Sequence, residues 1–276
     1  MENPFGAGLT MQLTGSGPAP MLRRSNRGQS MNQRVAVVTG GVGGLGASIC
    51  RALADAGRTV VATDLAHRGD AIEAFLDDRN GRDMHFEPMD VSRFEDCADT
   101  LSRIAESRGP IDILVNAAGI TRDASLRKMS VEQWRSVLSV DLESVFNTCR
   151  QVIEPMMQRG FGRIVNISSV NAQTGQFGQT NYAAAKAGMH GFTMSLAREA
   201  ARKGVTVNSV SPGYVDTEMT RAIRHDIRAQ IIESIPVGRI GMPDDIARVV
   251  RFLCEDDADY ITGANVPVNG GMFMSF

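Results

Sequence analysis

Two short stretches of the 276-residue chain carry residue types whose spacing suits chemistry. The first is Thr39-Gly40-Gly41-Val42-Gly43-Gly44-Leu45-Gly46, set between a β-branched run and a helix-like one. Glycines there let a backbone approach a pyrophosphate, whose charge is met by the amides and positive dipole end of the following helix. Gly40, Gly44, Leu45 and Gly46 are therefore candidate cofactor-binding residues. Asp64 follows Gly46 by 18 residues, close to the spacing of about 20 at which an acidic residue holds the adenosine ribose of a dinucleotide. A carboxylate there accepts from both ribose hydroxyls and repels a 2'-phosphate, which favours NAD(H) and leaves NADP(H) as the alternative. Val42 and Leu65 stand where a phosphate-binding enzyme is expected to carry a basic residue, but His67 and Arg68 are near enough to reverse the preference if their loop folds back. The second stretch is Tyr182-x-x-x-Lys186, with Ser169 thirteen residues earlier. One helical turn places Tyr182 and Lys186 on the same face, where the ammonium is expected to lower the phenol pKa from about 10 toward working pH. A phenol so placed is a general acid, and the Ser169 hydroxyl is able to stabilise a developing oxyanion beside it.

These residues need rigid elements beneath them. From Arg34 onward, short β-branched runs alternate with longer helix-period segments. Val35–Thr39, Thr59–Thr63, His85–Met89, Ile111–Asn116, Arg163–Ile167 and Val205–Ser211 read as strands, with Asn265–Val268 as a seventh. Helix candidates are Gly44–Ala56, Phe94–Arg108, Val131–Arg159, Tyr182–Arg202 and Asp244–Cys254. Ser130 with Gln133 makes a capping box before the third of these, and Pro243 marks the start of the last. Strands this apolar, each followed by a helix, imply a parallel sheet covered on both faces. No Gly/Pro-rich linker interrupts 34–276, so the reading is one α/β domain: a Rossmann-like doubly wound sheet of about seven strands. Residues 1–33, rich in Gly, Pro, Ser and Asn, read as a flexible N-terminal tail without the apolar core of a secretory signal, and Met31 is an alternative start.

Composition excludes several function classes. A net charge of -2 gives no field for nucleic acid or an anionic membrane, and no apolar run reaches the roughly 18 residues that cross a bilayer. Cys50, Cys97, Cys149 and Cys254 lie far apart with no CxxC pair, and the four histidines are equally scattered, so neither a disulfide framework nor a metal site is expected. A reducing cytoplasm suits this pattern.

The order Thr-Gly-x-x-x-Gly-x-Gly, Ser169, Tyr182-x-x-x-Lys186 resembles the short-chain dehydrogenase/reductase family over essentially all of 34–276. The resemblance implies that Tyr182 protonates a ketone oxygen as hydride arrives from a nicotinamide, that Ser169 hydrogen-bonds the same oxygen, and that Lys186 also holds the nicotinamide ribose. It further implies cofactor contacts at Asp90 and Val91 after the third strand, and at Asn116, Ala118 and Gly119, with Asn116 also fixing strands. Pro212, Gly213, Val215 and Thr217 match the stretch that holds the carboxamide. One position departs: Asp141 stands where the family's catalytic Asn holds a proton-relay water. An Asp accepts from that water but donates only when protonated.

The segment from Ser169 to Tyr182, Ile120-Thr-Arg-Asp123 and the ending Val268-Asn-Gly-Gly-Met resemble the acetoacetyl-CoA reductases of polyhydroxybutyrate synthesis. Residues matching Gln176, Phe177, Gln179 and Tyr214 line the acyl-CoA site in that subfamily, an aromatic ring plus amides suiting a short β-ketoacyl group on a pantetheine arm. The implied reaction is reduction of acetoacetyl-CoA or a similar short 3-oxoacyl-CoA to the R-hydroxy product. The alternatives are a 3-oxoacyl-acyl-carrier-protein reductase and, more remotely, a non-catalytic dinucleotide-binding sensor; Phe177 is alternatively core packing. The resemblance also implies a homotetramer built on Val131–Arg159 and Tyr182–Arg202, with Trp134, Phe146 and Phe192 at its interface or in the core, and a lid over 217–236.

Overall fold

The structure is a computed structural model that describes residues 33–221 and 223–274. The tail expected over 1–33 lies outside the described residues except for Gln33. Seven parallel strands form one sheet in the order β3-β2-β1-β4-β5-β6-β7. They are β1 (Val35–Thr39), β2 (Thr59–Asp64), β3 (Met84–Pro88), β4 (Ile111–Asn116), β5 (Gly162–Ile167), β6 (Val205–Pro212) and β7 (Asn265–Val268). Every residue of β1, β5 and β6 is buried, polar ones such as Arg163, Asn166 and Asn208 included, as central strands between two helical layers must be.

Alternation along the strands divides the core in two. Ala36 and Val38 of β1 join Val60, Ile113 and Val165 on one face, covered by α1 (Gly44–Asp55), α2 (Gly69–Asp77) and α10 (Pro243–Leu253) through Ile49, Leu53, Phe75, Ile246 and Val250. Val35 and Val37 join Val61, Leu114 and Ile164 on the other, covered by α3 (Phe94–Arg108), α5 (Ser144–Arg159) and α7 (Thr180–Ala200) through Leu101, Ile104, Val152 and Met189. The remaining helices are α4 (Val131–Leu138), α6 (Asn171–Thr174), α8 (Glu218–Arg221) and α9 (His225–Ser234).

The expected strands and long helices are found within one or two residues of their ends. Ser130 does cap α4: its Oγ accepts from Gln133 N–H at 3.1 Å while Gln133 Oε1 accepts from Ser130 N–H at 2.9 Å. Three differences matter for the site. The single helix expected over Val131–Arg159 is broken by a π turn at Ser139–Glu143 that separates α4 from α5 and has Asp141 at its centre. α2 and α6 were not apparent from periodicity, being short; α6 buries no residue. The segment expected to form a lid carries two short helices, α8 and α9; α8 is four residues long and α9 buries none of its own, so neither shows in the pattern.

Candidate active site

Strand order reverses between β1 and β4, and in doubly wound sheets a ligand crevice opens beyond the carboxyl ends of the strands at that point. Here a cleft of about 410 Å³ opens there, lined from the β1–α1 turn across to α7. At its nucleotide end Gly40 takes a left-handed φ of +63°, and a side chain there would press on the backbone of Ala118 at 2.8 Å. A Cβ on Gly46 would overlap Gly40 O. Thr39 Oγ1 accepts the N–H groups of Ala117 and Ala118, both at 3.1 Å, and so ties the turn to the end of β4. Gly43 precedes α1 and offers no side-chain cap, so the first-turn amides of Gly44, Leu45 and Gly46, all three lining the cleft, have no side-chain partner from the cap.

Asp64, 9% exposed, ends β2. Its Oδ1 accepts from Leu65 N–H at 2.9 Å, whereas its buried Oδ2 has no hydrogen-bond partner and sits 3.5 Å from Arg68 Nη1. An orphaned carboxylate oxygen, uncapped helix amides and a turn with no room for a side chain at Gly40, Gly41 and Gly46 together fit a dinucleotide, with Asp64 at the ribose and the α1 amides at the pyrophosphate. Asp90, Val91, Ala118, Gly119, Pro212, Gly213, Val215 and Thr217 also line the cleft. The Asp90 carboxylate is partly engaged, with Oδ1 accepting from Ser92 N–H at 3.0 Å and Oγ at 2.6 Å.

At the other end stand Ser169, Tyr182 and Lys186, all three in the cleft wall. Ser169 follows β5, its Oγ accepting from Asn171 N–H at 3.1 Å in the turn that opens α6. Lys186, one turn after Tyr182 on α7, is buried; its Nζ donates to Ile167 O at 3.0 Å and lies 5.6 Å from the centre of the Tyr182 ring. Asp141 is wholly buried. Its Oδ1 accepts from Ile120 N–H at 2.9 Å, and Oδ2 lies 3.4 Å from Lys186 Nζ with no hydrogen-bond partner. Gly119 closes over this pair: a Cβ there would meet Asp141 Oδ2 at 3.0 Å and Lys186 Nζ at 3.3 Å. Burial pushes the Asp141 carboxyl above the ordinary carboxylate range, and the Lys186 ammonium only partly opposes it.

The same balance reverses one expectation. Burial, not Lys186, dominates at Tyr182 and holds the phenol above its ordinary value, with Lys186 and the Ser169 hydrogen bond pulling down and the charges of Asp141 and Asp123 pushing up. The i,i+4 spacing showed the cation but neither the burial nor the anion behind it.

Several candidate residues are placed elsewhere. Asn116 does not line the cleft; it is buried behind it, donating to Asn166 Oδ1 at 2.8 Å and accepting from Thr148 Oγ1 at 2.8 Å, a link between β4, β5 and α5. Asp141 is likewise beneath the cleft wall. Gln176 and Phe177 sit on the exposed α6–α7 loop, and at 89% exposure Phe177 is not core packing. Gln179 Nε2 donates to both oxygens of Asp123, at 3.1 and 3.0 Å. Tyr214 lines a separate cavity of about 260 Å³ with Ile235, Val237 and Arg239. Arg68, near enough by sequence to bear on the cofactor preference, does line the cleft, whereas Glu218 and Thr220 were missed as lining residues, no spacing signal marking them.

Among the described residues no group of His, Cys, Asp and Glu is arranged to hold a metal ion, and no helix is long and apolar enough to cross a membrane. The family model described as enoyl-(acyl carrier protein) reductase matches residues 41–273. The acetoacetyl-CoA reductase of Allochromatium vinosum is 56% identical over 243 residues, 87% of this chain and 99% of that protein. That of Cupriavidus necator is 47% identical over 246 residues, 88% of this chain and 100% of that protein. The 3-oxoacyl-[acyl-carrier-protein] reductase of Haemophilus influenzae is 43% identical over 246 residues, 89% and 100% of the two chains. Fold, cleft and likeness together define an oxidoreductase that acts on a CH–OH group with a nicotinamide cofactor. The chain belongs to the short-chain dehydrogenase/reductase family.

Proposed function

We propose that the protein reduces the 3-keto group of acetoacetyl-CoA, or a similarly short 3-oxoacyl-CoA, to the (R)-3-hydroxyacyl-CoA used for polyhydroxybutyrate, with NADH as the preferred reductant. Bound cofactor supplies the hydride. Tyr182 donates its phenolic proton to the ketone oxygen, and its raised pKa keeps that proton in place at neutral pH. The Ser169 hydroxyl hydrogen-bonds the same oxygen as negative charge develops on it. Lys186 holds the nicotinamide ribose from beneath, anchored through Ile167 O. Asp64 Oδ2 accepts from the adenosine ribose, and its carboxylate repels a 2'-phosphate; Arg68, already paired with that carboxylate, moderates the repulsion.

Phe177 carries the choice of acyl group. The support is an aromatic ring 89% exposed, and so free to meet a ligand, five residues before Tyr182 in the chain; the names of the acetoacetyl-CoA reductases above agree with that use. A second reading, the same reduction on a carrier-protein thioester, is favoured by exposed Arg122, Arg127 and Lys128 on the loop joined to this one through Ala124 N–H and Gly178 O. Loss of reduced-cofactor absorbance with acetoacetyl-CoA is the test; carrier-bound acetoacetate turned over far faster than the CoA thioester would reverse the order. Trp134 and Phe146, 39% and 50% exposed, line an apolar groove with Phe192 and support a homotetramer, checked by light scattering. Four buried free thiols suit a reducing, cytoplasmic setting.

A further inference from the structure

Asp141 raises a question that the proposed chemistry does not answer. An amide at this position has the same shape and still accepts from Ile120 N–H, so packing accounts for everything about the residue except its charge. That charge neighbours a cation that itself neighbours the phenol: Oδ2 is 3.4 Å from Lys186 Nζ, and Lys186 Nζ is 5.6 Å from the centre of the Tyr182 ring. Oδ2 has no hydrogen-bond partner, and the carboxylate is wholly buried, so solvent does little to screen it.

We propose that Asp141 is an electrostatic positioning residue whose charge offsets that of Lys186, so that Tyr182 keeps its proton, and remains a donor, to a higher pH than an amide at position 141 would allow. The inference rests on the reading of Tyr182 as proton donor given above.

The groups that face Tyr182 are few. Lys186 lies on the same helix, Asp141 comes from the π turn, the Ser169 hydroxyl from the end of β5, and Asp123 from the β4–α4 loop; Arg122 of that loop acts on Asp141. Asp123 is exposed and held by Gln179, and Arg122 is exposed, so both are screened. Asp141 and Lys186 are the two buried charges, and they oppose one another. Burial raises the phenol most, and Asp141 adds to it.

One phenol governs both directions of the reaction, donating in reduction and accepting in oxidation. Its protonation therefore sets the alkaline fall of kcat/KM for reduction and the matching rise for oxidation, and the two limbs must move together. In Asp141→Asn both are expected to move down by about half a pH unit to one unit, at or below the low end of the effect of a charge in direct contact, because Asp141 acts from behind Lys186. The direct measurement needs no turnover. The chain has three tyrosines, so ultraviolet difference titration of the cofactor-free enzyme against Tyr182→Phe isolates the Tyr182 phenolate. Asp141→Asn should lower its midpoint by the same amount, and Lys186→Met, which leaves the anion without its cation, should raise it. A midpoint unmoved in Asp141→Asn would mean that Asp141 carries a proton or does not reach the phenol, and would overturn the inference; so would a fall in Lys186→Met. Failure of acetoacetyl-CoA to react, with the phenolate midpoint still moving, would count against the substrate reading alone.

Discussion

β5 runs from one buried cation to another. At its start Arg163, 2% exposed, has every donor nitrogen engaged: Nε with Glu255 O at 3.1 Å, Nη2 with Asp256 O at 3.0 Å, and Nη1 with Gly162 O and Gly204 O at 2.9 and 3.3 Å. Its guanidinium lies 4.4 Å from the Phe161 ring centre, and Arg34 stacks on the same ring at 3.3 Å. At its end Ile167 O accepts from Lys186, which has that one hydrogen bond, an incompletely satisfied carboxylate beside it and an open cleft above. A buried charge with all its bonds made is a clamp that holds chain segments together. One held by few bonds is free to respond to a ligand. The difference separates the structural end of the sheet from the chemical end without reference to any relative.

Substitutions at the two ends should therefore split activity from stability. The largest effect is expected for Tyr182→Phe, which removes the transferable proton and should lower kcat for acetoacetyl-CoA about 10³-fold or more, within the range for loss of a general acid. Cofactor affinity, read by quenching or by fluorescence of bound NADH, and Tm should stay near wild type. An active Phe variant would remove Tyr182 from the mechanism. At the opposite end Arg163→Met leaves the four carbonyls without their shared donor and should cost about 3 kcal/mol. That lowers Tm by about 10 °C for a domain this size, while kcat/KM per folded molecule is unchanged. A loss of activity without a loss of stability would collapse the distinction between the two ends.

The clamp was invisible in the sequence, where Arg163 is one cation opening a β-branched run, because its partners Gly204, Glu255 and Asp256 come from distant loops. The cleft was more legible. Glycines, Asp64 and the Tyr182–Lys186 step are local patterns whose meaning depends on backbone shape and helical period, and the structure gathers them in one wall. Side-chain direction and burial do not follow from spacing. Asn116, polar at a strand end, turns inward to Asn166, while Phe177, apolar by type, turns out to solvent. The π turn at Asp141 was lost within a helical pattern, since a single five-residue turn is too short to show as a change of period. The sign of the Tyr182 shift was lost because burial, which spacing does not show, outweighs a neighbouring cation that the sequence does show.

The nucleotide end offers an intermediate case, an acceptor left half satisfied by Asp64. Asp64→Ala should raise KM for NADH about tenfold, near 1.4 kcal/mol, the loss expected for a charged hydrogen bond. It should also narrow the gap between NADH and NADPH, because Arg68 is then released from its only carboxylate partner among the described residues. A strong preference for NADPH in the wild-type enzyme would show that Arg68, not Asp64, reads the ribose.

The smallest effect concerns folding rather than turnover, and its sign follows from burial. The Asp141 carboxyl is raised in the folded protein, mainly by desolvation, above its unfolded value of about 3.9. Between those two values the folded state binds more protons than the unfolded one, so stability falls as pH rises through that window. Asn at the same position cannot titrate. The difference in Tm between wild type and Asp141→Asn should therefore drift against the wild type, by a few degrees at most, from about pH 4 up to the folded pKa of Asp141, and be flat just above it. Any constant offset from losing the pairing with Lys186 leaves this slope untouched. Arg163 stays charged throughout and gives no such slope, so Arg163→Met should differ from wild type by the same amount at every pH in the window. Parallel curves for Asp141→Asn would mean that the Lys186 ammonium, not burial, controls this carboxylate, and that the chemical end of β5 is as fully compensated as the structural one.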